Sequence, residues 1–576
     1  MAESLTTSQR SAALEALGTE EFDVLVIGGG VTGAGIALDA ASRGLRTAVV
    51  EAQDWASGTS SRSSRLIHGG LRYLYNLDFK LVFEALTERA RLLTTIAPHL
   101  VEAQPFLWPL KTRVIERAYS AVGIGLYDAM SIAGAGGKKI VPIQNHLSKK
   151  GAMERFPDIS PKSLIGAIEF YDARVDDARL VIQLIRTALD YNAVAVSRAK
   201  VTELDKDASG RISGGTVTDL ETGNTVKVRA KHVIAATGVW TEDTQNMASA
   251  SGGLKVLASK GSHILIPRER FKGRAGLFLR TEKSVLFVIP WQHYWVIGTT
   301  DTAWHEQLKH PVPTSEDIDY ILAQANEVLD IPLTRDDIIG TYAGLRPLLQ
   351  PKVLDESKST KVSREHTVTE VAPGMISIAG GKYTTYRVMA KDAVDFALGD
   401  KQAKKNPSVT ANLPLLGAVG FDAMLNQSKR LGAKYGFDAD RMQHLMRRYG
   451  SELPQLLATI DENASLGEPL RGAPQFLRAE VHRACAVEGA LHLEDIYISR
   501  VRLNSESPDR GGSTVDEIAE IAAKVMGWND EETAKEKANY RARIAAELAA
   551  QKARTDDAAS AARMQASDVV GDGMLV

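Results

Sequence analysis

The hydrophobic pattern near the start of the chain changes period within residues 22–51. Residues 22–27 (FDVLVI) are mostly apolar and predict a buried strand. Small residues from Val31 onward predict a closely packed helix that ends near Arg43. A second apolar run, residues 46–50, predicts another strand, and the acidic residue Glu51 follows it directly. This order is typical of a β-α-β unit.

Three glycines lie between the first strand and the helix, with the spacing Gly28-x-Gly30-x-x-Gly33. Gly28 allows a tight turn, Gly30 lets the backbone approach a pyrophosphate, and Gly33 lets the helix pack closely on the sheet. The helix N-terminus offers free N–H groups to phosphates, and Glu51 is placed to accept from a ribose hydroxyl. The pattern predicts a dinucleotide site, but it leaves open which dinucleotide and which reaction.

The next part of the chain combines helical and strand periodicity. A Ser-rich polar loop (residues 57–64) precedes a predicted helix over residues 79–96. Residues 195–238 alternate with the period of strands, and further hairpin-like runs follow. They cover residues 276–280, 285–291 and 293–298. These runs predict an antiparallel sheet that forms a second domain over the first.

The C-terminal third of the chain has a different character. Residues 375–385 repeat the strand-then-glycine pattern and lead into a helix, so this segment is expected to return to the nucleotide domain. We therefore expect an α/β fold with a Rossmann-type domain over residues 20–400. An antiparallel-sheet substrate domain is interleaved with it. The remaining boundaries are a substrate part at residues 80–195 and 250–370, an all-helical domain at residues 406–552, and flexible tails at residues 1–19 and 555–576.

Composition narrows the function classes. The 576 residues are 44% hydrophobic and 24% charged, which is ordinary for a globular protein. A net charge of −2 argues against nucleic-acid binding as the main role. The single cysteine, Cys485, excludes an internal disulfide and a metal site built from clustered cysteines. It also fits a reducing cytosol. We expect no metal site. The first twenty residues lack the pattern of a signal peptide.

No apolar run is long enough to predict a membrane-spanning helix. Residues 106–139, however, place aromatic and apolar side chains beside Lys and Arg. This mixture suits a helix that lies in a membrane interface. A core helix with one solvated face explains the pattern equally well.

Several motifs resemble the FAD-dependent, aerobic-type glycerol-3-phosphate dehydrogenases. The longest is residues 59–74 (TSSRSSRLIHGGLRYL), and the resemblance runs in order over residues 20–400. The other motifs are residues 236–238 (ATG), 260–264 (KGSHI), 298–302 (GTTDT), 344–347 (GLRP), 363–366 (SREH) and 379–385 (AGGKYTT).

The resemblance implies that the dinucleotide is FAD, which distant parts of the chain would grip together. It places His68-Gly69-Gly70 beside the flavin, and whether His68 is joined to it covalently stays open. Gly380 and Gly381 precede a predicted helix whose positive end favours negative charge. The expected cofactor contacts are Gly28, Gly30, Gly33, Glu51, Thr59, Ser60, Ser61, Ser64, Leu66, His68, Gly69, Gly70, Val201, Thr237, Gly238, Asp301, Gly380, Gly381, Lys382 and Thr384.

Arginines are the candidates for binding the substrate phosphate, because a guanidinium donates two parallel hydrogen bonds and Lys does not. In isolation, Arg346 and Arg364 are most simply surface residues. The family motifs make both candidates for binding glycerol 3-phosphate. Arg72 and Tyr73 also match positions of the family's substrate pocket.

Oxidation of a secondary alcohol removes a proton from the hydroxyl and a hydride from the carbon. The base that takes the proton works best when its pKa is near neutrality, and this requirement favours histidine. Among twelve histidines we choose His263, which lies in the KGSHI motif. Lys382 is expected to place positive charge near the flavin or the alkoxide. Lys382 or a water relay is the alternative base.

The resemblance therefore implies oxidation of sn-glycerol 3-phosphate to dihydroxyacetone phosphate, with electrons passed to a membrane quinone. It also implies a cytoplasmic protein attached peripherally to the inner face of the cell membrane. The alternatives are an oxidase that uses O2, a related amine or amino-acid oxidoreductase, and a flavin-binding protein without turnover. Residues 531–552 form a charged, Ala-rich helix that suits either a homodimer contact or a solvated surface.

Overall fold

The computed structural model describes residues 4–112, 115–249, 253–281, 285–350 and 366–570. The strands are β1 (Glu21–Ile27), β2 (Thr47–Val50), β3 (Leu66–Ile67), β4 (Val101–Leu110), β5 (Asn145–Ser148), β6 (Gly166–Val175), β7 (Val194–Val196), β8 (Ala199–Lys206), β9 (Ile212–Asp219), β10 (Thr225–Ala235), β11 (Val256–Pro267), β12 (Gly276–Arg280), β13 (Val285–Pro290), β14 (Tyr294–Gly298), β15 (Thr302–Ala303), β16 (Gly340–Leu349), β17 (His366–Ala372), β18 (Met375–Gly380), β19 (Pro469–Leu470) and β20 (Ala473–Leu477). The helices are α1 (Thr7–Thr19), α2 (Val31–Ser42), α3 (Phe79–Arg91), α4 (Ile115–Gly134), α5 (Lys149–Arg155), α6 (Asp177–Asp190), α7 (Thr241–Met247), α8 (Ser315–Asn326), α9 (Tyr386–Lys405), α10 (Phe421–Tyr435), α11 (Ala439–Tyr449), α12 (Leu453–Glu462), α13 (Arg478–Ala486), α14 (Leu493–Asp495), α15 (Leu503–Glu506), α16 (Val515–Met526), α17 (Asp530–Ala550) and α18 (Asp556–Arg563).

A mainly parallel sheet carries the predicted β-α-β unit at its centre, in the order β17-β18-β10-β1-β2-β7. β1 pairs in parallel with both β2 and β10, so Ile27 lies opposite Val50 and Ala235 where the strands end. β18 pairs in parallel with β10, which confirms that the late segment returns to this sheet. The carboxyl ends of β1, β10 and β18 thus meet at one edge.

Helices α2, α6 and α9 cover one face of the parallel sheet. Ile36, Leu184 and Val394, one from each helix, are fully or almost fully buried in the same apolar core. The predicted substrate part over residues 80–195 is therefore too long. Its last helix, α6, packs on α2 and belongs to the nucleotide domain. The apolar face of α6 decides this, because it is buried against the parallel sheet and not the antiparallel one.

The second sheet is mainly antiparallel, in the order β15-β11-β14-β13-β12-β4-β6-β3, with β16 on β11 and β5 on β6. The predicted hairpin strands appear as β12, β13 and β14, which pair in sequence. In the middle of β11, His263 lies opposite Tyr342 of β16 and Gly298 of β14. Three segments far apart in the chain therefore meet at one histidine.

Helices α10 to α17 form the predicted C-terminal domain, which also contains the short hairpin of β19 and β20. Buried ion pairs join it to the nucleotide domain, including Arg186 with Glu452 at 2.7 Å and Arg500 with Asp54 at 2.6 Å. Arg179 pairs with Glu488 at 2.7 Å in the same way. Buried ion pairs therefore connect the helical domain to the nucleotide domain.

The prediction of flexible tails is wrong for the described residues of both segments. Residues 7–19 form α1, whose Leu17 is fully buried against the parallel sheet. In the second segment, residues 556–563 form α18, and Ala559 packs against Ala550 and Val312. Small alanines gave a weak apolar signal, but they allow these helices to pack closely.

Residues 106–139 contain a strand and a helix, and not one helix as expected. The strand β4 buries Phe106 and Trp108 in the antiparallel domain. The helix α4 buries Ile124 and Tyr127 and exposes other apolar side chains. No helix in the described part of the chain is long and apolar enough to cross a bilayer.

Candidate functional site

A cavity of about 940 Å³ opens at the carboxyl ends of the parallel strands, below the antiparallel sheet. Its wall comes from the glycine turn, the Ser-rich loop, β8, and the segments after β10 and β18. The expected site residues that line it are Gly28, Gly30, Glu51, Thr59, Ser60, His68, Val201, Thr237, Gly238, Arg346, Gly380, Gly381 and Lys382. Its position at the ends of the parallel strands suits a dinucleotide.

The first turn permits only glycine at two of its positions. A Cβ on Gly28, where φ is +109°, would lie 2.7 Å from the carbonyl oxygen of Ala236. A Cβ on Gly33 would lie 1.8 Å from the carbonyl oxygen of Gly28. Gly30 is the N-cap of α2, so the helix begins at the cavity and directs its free N–H groups there.

Glu51 is fixed to this turn. Its Oε2 accepts from the backbone N–H of Gly29 at 2.6 Å, and its Oε1 accepts from the N–H of Gln53 at 2.7 Å. Burial raises the pKa of Glu51, and these two hydrogen bonds offset only part of that effect. The carboxyl group thus stands at the end of β2, where a ribose hydroxyl is expected.

The Ser-rich loop connects the turn to the antiparallel sheet. Residues 59–61 form a 3₁₀ turn, in which Ser60 Oγ accepts from the N–H of Val31 at 2.9 Å and Ser61 is buried. Thr59 Oγ1 donates to the carbonyl of Leu345 at 2.6 Å. Leu66 is buried in β3 and does not line the cavity. The loop therefore packs between α2 and β16.

The segments after β10 and β18 approach the cavity with glycine. Gly238 has a φ of +56°, and Thr237 Oγ1 accepts from the hydroxyl of Thr244 at 3.0 Å. Gly380 and Gly381 have φ values of +81° and +77°. A 3₁₀ turn and then α9 follow them, as the sequence predicted.

His68 lines the cavity together with Lys382, whereas Gly69 and Gly70 do not line it. The backbone N–H of His68 donates to Thr384 Oγ1 at 3.1 Å. Gly70 has a φ of +77°. The Lys382 ammonium lies over the ring of Tyr73, 3.9 Å from its centroid, and the quadrupole of the ring attracts the charge. Tyr73 and Lys382, predicted from separate motifs, are therefore in contact.

His263 lies behind the cavity wall and not in it. Its Nε2 shares a hydrogen bond with Ser64 Oγ at 2.9 Å, and its ring stacks on Tyr342. Burial lowers the pKa of His263 well below its ordinary value, and the charges of Arg346 and Arg65 lower it further. The imidazole is therefore neutral at pH 7.

Arg346 projects from β16 into the cavity wall. Its guanidinium donates to Thr299 Oγ1 at 2.9 Å and to the carbonyl of Thr300 at 3.1 Å. It also pairs with the carboxylate of Asp301 at 3.3 Å. Asp301 also accepts a short hydrogen bond from Ser259 and does not line the cavity. Asp301, which was expected to contact the cofactor, is therefore an ion-pair partner of Arg346 behind the cavity surface.

Two expected site residues cannot be located in this way. Arg364 lies outside the described residues. Arg72 belongs to the 3₁₀ turn of residues 71–76, and only its backbone is described. Sequence reasoning also missed Tyr342, which stacks on His263, and Tyr127, which contacts Gly69. Tyr342 stands two residues before the GLRP motif, which was the available signal for it.

The described residues contain no group of three or more His, Cys, Asp or Glu side chains that could hold a metal ion.

Comparison with protein families gives two matches. Residues 23–387 match the model described as FAD dependent oxidoreductase, and residues 408–533 match the C-terminal domain of alpha-glycerophosphate oxidase. The boundary between these matches falls where the parallel-sheet domain gives way to the helical domain.

Similar proteins have related names. Glycerol-3-phosphate dehydrogenase 2 of Mycobacterium bovis is 50% identical over 96% of this chain and 93% of its own. The mitochondrial glycerol-3-phosphate dehydrogenase of Homo sapiens is 36% identical over 91% of this chain and 73% of its own. A crystal structure of glycerol-3-phosphate dehydrogenase from Bacillus halodurans complexed with FAD has a TM-score of 0.75. It is 29% identical and covers 94% of this chain and 98% of that one.

Proposed function

Because the chain belongs to the FAD-dependent oxidoreductase family, and within it to the glycerol-3-phosphate dehydrogenases, we propose that its cavity oxidises sn-glycerol 3-phosphate to dihydroxyacetone phosphate. The observation that carries the proposal is the pairing of β11 with β16. In this pairing His263 lies opposite Tyr342 and Arg346 lies opposite Ser259. The guanidinium of Arg346 lines the cavity, and its charge helps to lower the pKa of the imidazole of His263, which is buried behind the cavity wall. The imidazole is suited to accept a hydroxyl proton, and the guanidinium is suited to bind a phosphate.

The cofactor is FAD, and the cavity residues fit it. Glycine is required at positions 28 and 33 by close backbone contacts, the N-terminus of α2 faces the cavity, and Glu51 directly follows the second strand. These features would hold the adenosine and pyrophosphate end. His68, Gly380 and Lys382 would lie against the remaining length of the molecule. When bound, FAD accepts the hydride that leaves C2 of the substrate.

We assign the proton of the C2 hydroxyl to His263. Its low pKa keeps it neutral, which a general base requires before the reaction. Arg346 contributes to that low pKa, and a bound phosphate would offset the charge of Arg346. Binding of substrate would therefore raise the basicity of His263. Ser64, bonded to Nε2, would fix the orientation of the ring.

We assign the phosphate to Arg346, with Arg72, Tyr73 and Arg364 as further candidates from the family motifs. Thr299 and Thr300 hold the guanidinium of Arg346 at fixed distance from the strand, so its orientation is set before a ligand arrives. Lys382 would supply positive charge near the developing alkoxide. It remains the alternative base, together with a water relay.

Anaerobic addition of sn-glycerol 3-phosphate to the holoenzyme tests the reaction. We expect the long-wavelength flavin absorption to bleach and one equivalent of dihydroxyacetone phosphate to form. Glycine and sarcosine serve as controls for an amine or amino-acid oxidoreductase, whose substrate would offer a carboxylate to Arg346. An unbleached flavin with glycerol 3-phosphate would reject this substrate. Bleaching by glycine or sarcosine instead would favour the amine or amino-acid oxidoreductase, and no bleaching by any of the three would favour a flavin-binding protein without turnover.

We propose a membrane quinone as the electron acceptor. Steady-state turnover should proceed with a short-chain ubiquinone or menaquinone in the absence of oxygen. The rival acceptor is O2, and hydrogen peroxide formed stoichiometrically in air, with no quinone reduction, would establish the oxidase instead.

An apolar surface on α3 and α4 supports peripheral attachment to the inner face of the membrane. Tyr119, Val122 and Leu126 project from α4 with 58%, 73% and 40% of their surface exposed. The adjoining α3 exposes Phe79 and Phe83. Lys80, Lys111, Lys138 and Lys139 are exposed in the same segments. Apolar groups with lysines around them suit anionic lipid headgroups.

Flotation with vesicles of phosphatidylglycerol and phosphatidylcholine tests this surface. Val122→Glu should reduce vesicle binding about tenfold, since it adds a charge to the apolar contact. Val419→Glu is the matched control, because Val419 is a valine with 70% exposure in the helical domain. Equal binding by the two variants would contradict the assignment of α4. Dye-linked turnover should be unchanged in both.

A further inference from the structure

The peptide group between His68 and Gly69 is held from two sides by side chains of distant elements. The N–H of Gly69 donates to Tyr127 Oη of α4 at 2.8 Å. The carbonyl of His68 accepts from Thr384 Oγ1, which precedes α9, at 3.2 Å. Both polar groups of this peptide are therefore engaged by side chains, although the segment borders the cavity.

The tyrosine belongs to a buried polar network. Its hydroxyl donates to Asp172 Oδ1 at 2.5 Å, and Arg89 pairs with the same oxygen at 2.5 Å. Arg89 also donates to Ser131 Oγ of α4 at 2.7 Å. Burial, together with the charge of Asp172, holds the pKa of Tyr127 well above its ordinary value. The hydroxyl thus keeps its proton for Asp172 and its lone pair for Gly69.

The ring of Tyr127 also limits movement of the segment. A Cβ on Gly69 would lie 2.7 Å from Tyr127 Cε2 and 2.6 Å from Leu86 Cδ2. The backbone therefore rests directly on the ring. It cannot move toward α4 without displacing a side chain that is fully buried.

On its other side the same segment faces the cofactor cavity. His68 and Lys382 both line the cavity. A Cβ on Gly70 would lie 3.2 Å from the Lys382 ammonium nitrogen and 2.3 Å from the ring of Tyr73. The 68–70 backbone therefore lies in close contact with both the lysine and the tyrosine ring beneath its charge.

We propose that Tyr127 and Asp172 are positioning residues, which fix the His68–Gly69 peptide and through it the groups beside the flavin. Neither residue lines the cavity, so they act through the backbone of the segment. Loss of the Tyr127 hydroxyl leaves the buried N–H of Gly69 with only a weak contact to Asp172 at 3.4 Å, so Thr384 alone holds the peptide by a shorter side-chain hydrogen bond.

Tyr127→Phe tests the proposal, because it keeps the ring and removes the hydroxyl. We expect a shifted flavin absorption maximum, a changed midpoint potential in dithionite titration, and a kcat lowered about tenfold with KM little changed. Tyr449→Phe is the matched control. Tyr449 is also buried and donates to a carboxylate, Glu480, at 3.1 Å, but it lies in the helical domain. It should leave the spectrum and potential unchanged.

Thr384 offers a second approach to the same peptide, including the case in which Tyr127→Phe does not fold. Thr384→Val should shift the flavin spectrum and the midpoint potential. Thr384→Ser, which keeps the hydroxyl, should have the wild-type spectrum and potential. In the double variant with Tyr127→Phe the shifts should be less than additive, because both hydroxyls act on one peptide. Additive shifts, or a wild-type spectrum and potential in both single variants, would overturn the proposal. The dithionite titration needs no substrate, so this result is independent of whether glycerol 3-phosphate is oxidised.

Discussion

The rings of His263 and Tyr342 stack with their centroids 4.6 Å apart and their planes 12° apart. On the opposite strand, Gly298 leaves room for the imidazole, since a Cβ there would lie 2.3 Å from His263 Cδ2. The histidine is thus fixed between two strands, with Ser64 on Nε2. Its remaining nitrogen, Nδ1, is buried and has no hydrogen-bond partner among the described residues.

The first prediction concerns the pH dependence that this environment imposes. A base must be neutral, so activity is lost as pH falls through the pKa of His263. In the free enzyme that pKa is well below 6.5, and the acid limb of kcat/KM due to this group should therefore lie well below pH 6.5. The limb of kcat should lie at higher pH, because bound phosphate offsets Arg346. Stopped-flow flavin reduction across pH measures both.

His263→Gln is the matching variant. It should lower the rate of flavin reduction about 10²–10⁴-fold, the usual contribution of a general base. FAD content should remain at the wild-type level, because His263 does not line the cavity. A normal rate in this variant would transfer the role of base to Lys382 or to water.

The second prediction concerns the phosphate. Arg346→Ala should lower kcat/KM for glycerol 3-phosphate about 100-fold, mainly through KM, because a charged partner of the phosphate is lost. Arg346→Lys should recover only part of this, since an ammonium lacks the planar pair of donors. Arg335→Ala removes an exposed arginine that pairs with Asp319 and is the control. If Arg346→Ala has unchanged kinetics with bound flavin, Arg346 does not bind the substrate.

The third prediction concerns the glycine turn. Gly33→Ala should yield protein without FAD, because the new methyl group would lie 1.8 Å from the carbonyl oxygen of Gly28. The control is Gly123→Ala, in α4, where nothing lies within 4 Å of the added Cβ. It should keep FAD and gain about 0.5–1 kcal/mol of stability from better helix propensity. Flavin absorbance and thermal unfolding measure the two effects.

The fourth prediction concerns the connection between domains. Burial acts to raise the pKa of Glu452, but hydrogen bonds from Arg186 and Gln183 and the charges of Arg186 and Arg483 together outweigh it, so the pKa falls to about 2. A lowered acid pKa gives stability that is complete above the unfolded value of 4.5 and is lost as pH falls toward 2. Glu452→Gln should cost about 3–5 kcal/mol at pH 7, because it leaves Arg186 buried without its charge partner.

Chemical denaturation at pH 7 and pH 3 measures this contribution, and the difference between wild type and Glu452→Gln should shrink at pH 3. Asp461→Asn is the control, because Asp461 pairs with Lys434 in solvent at 3.0 Å. It should unfold like the wild type. A difference that does not depend on pH would show that packing, and not the charge of Glu452, is responsible.

The candidate site could be predicted only in part from the sequence. The glycine turn and Glu51 were found because the β-α-β signal is local and each residue has a separate role in it. Family motifs supplied Arg346 and His263, but their spacing did not show that they share neighbouring strands. The contact of Tyr127 with Gly69 had no sequence signal, because it depends on how α4 packs over a distant loop.

The sequence by itself determined the local elements: the strand and glycine turn of the first β-α-β unit, the hairpins of the second sheet, and the helical C-terminal domain. Hydrophobic period and turn residues act over a few neighbouring positions, and these are enough to specify such elements. The tertiary structure alone decided that α6 covers the parallel sheet, that α1 and α18 pack as helices, and that His263 meets Tyr342. These outcomes depend on which apolar faces and buried charges find partners far along the chain, and no local pattern records them.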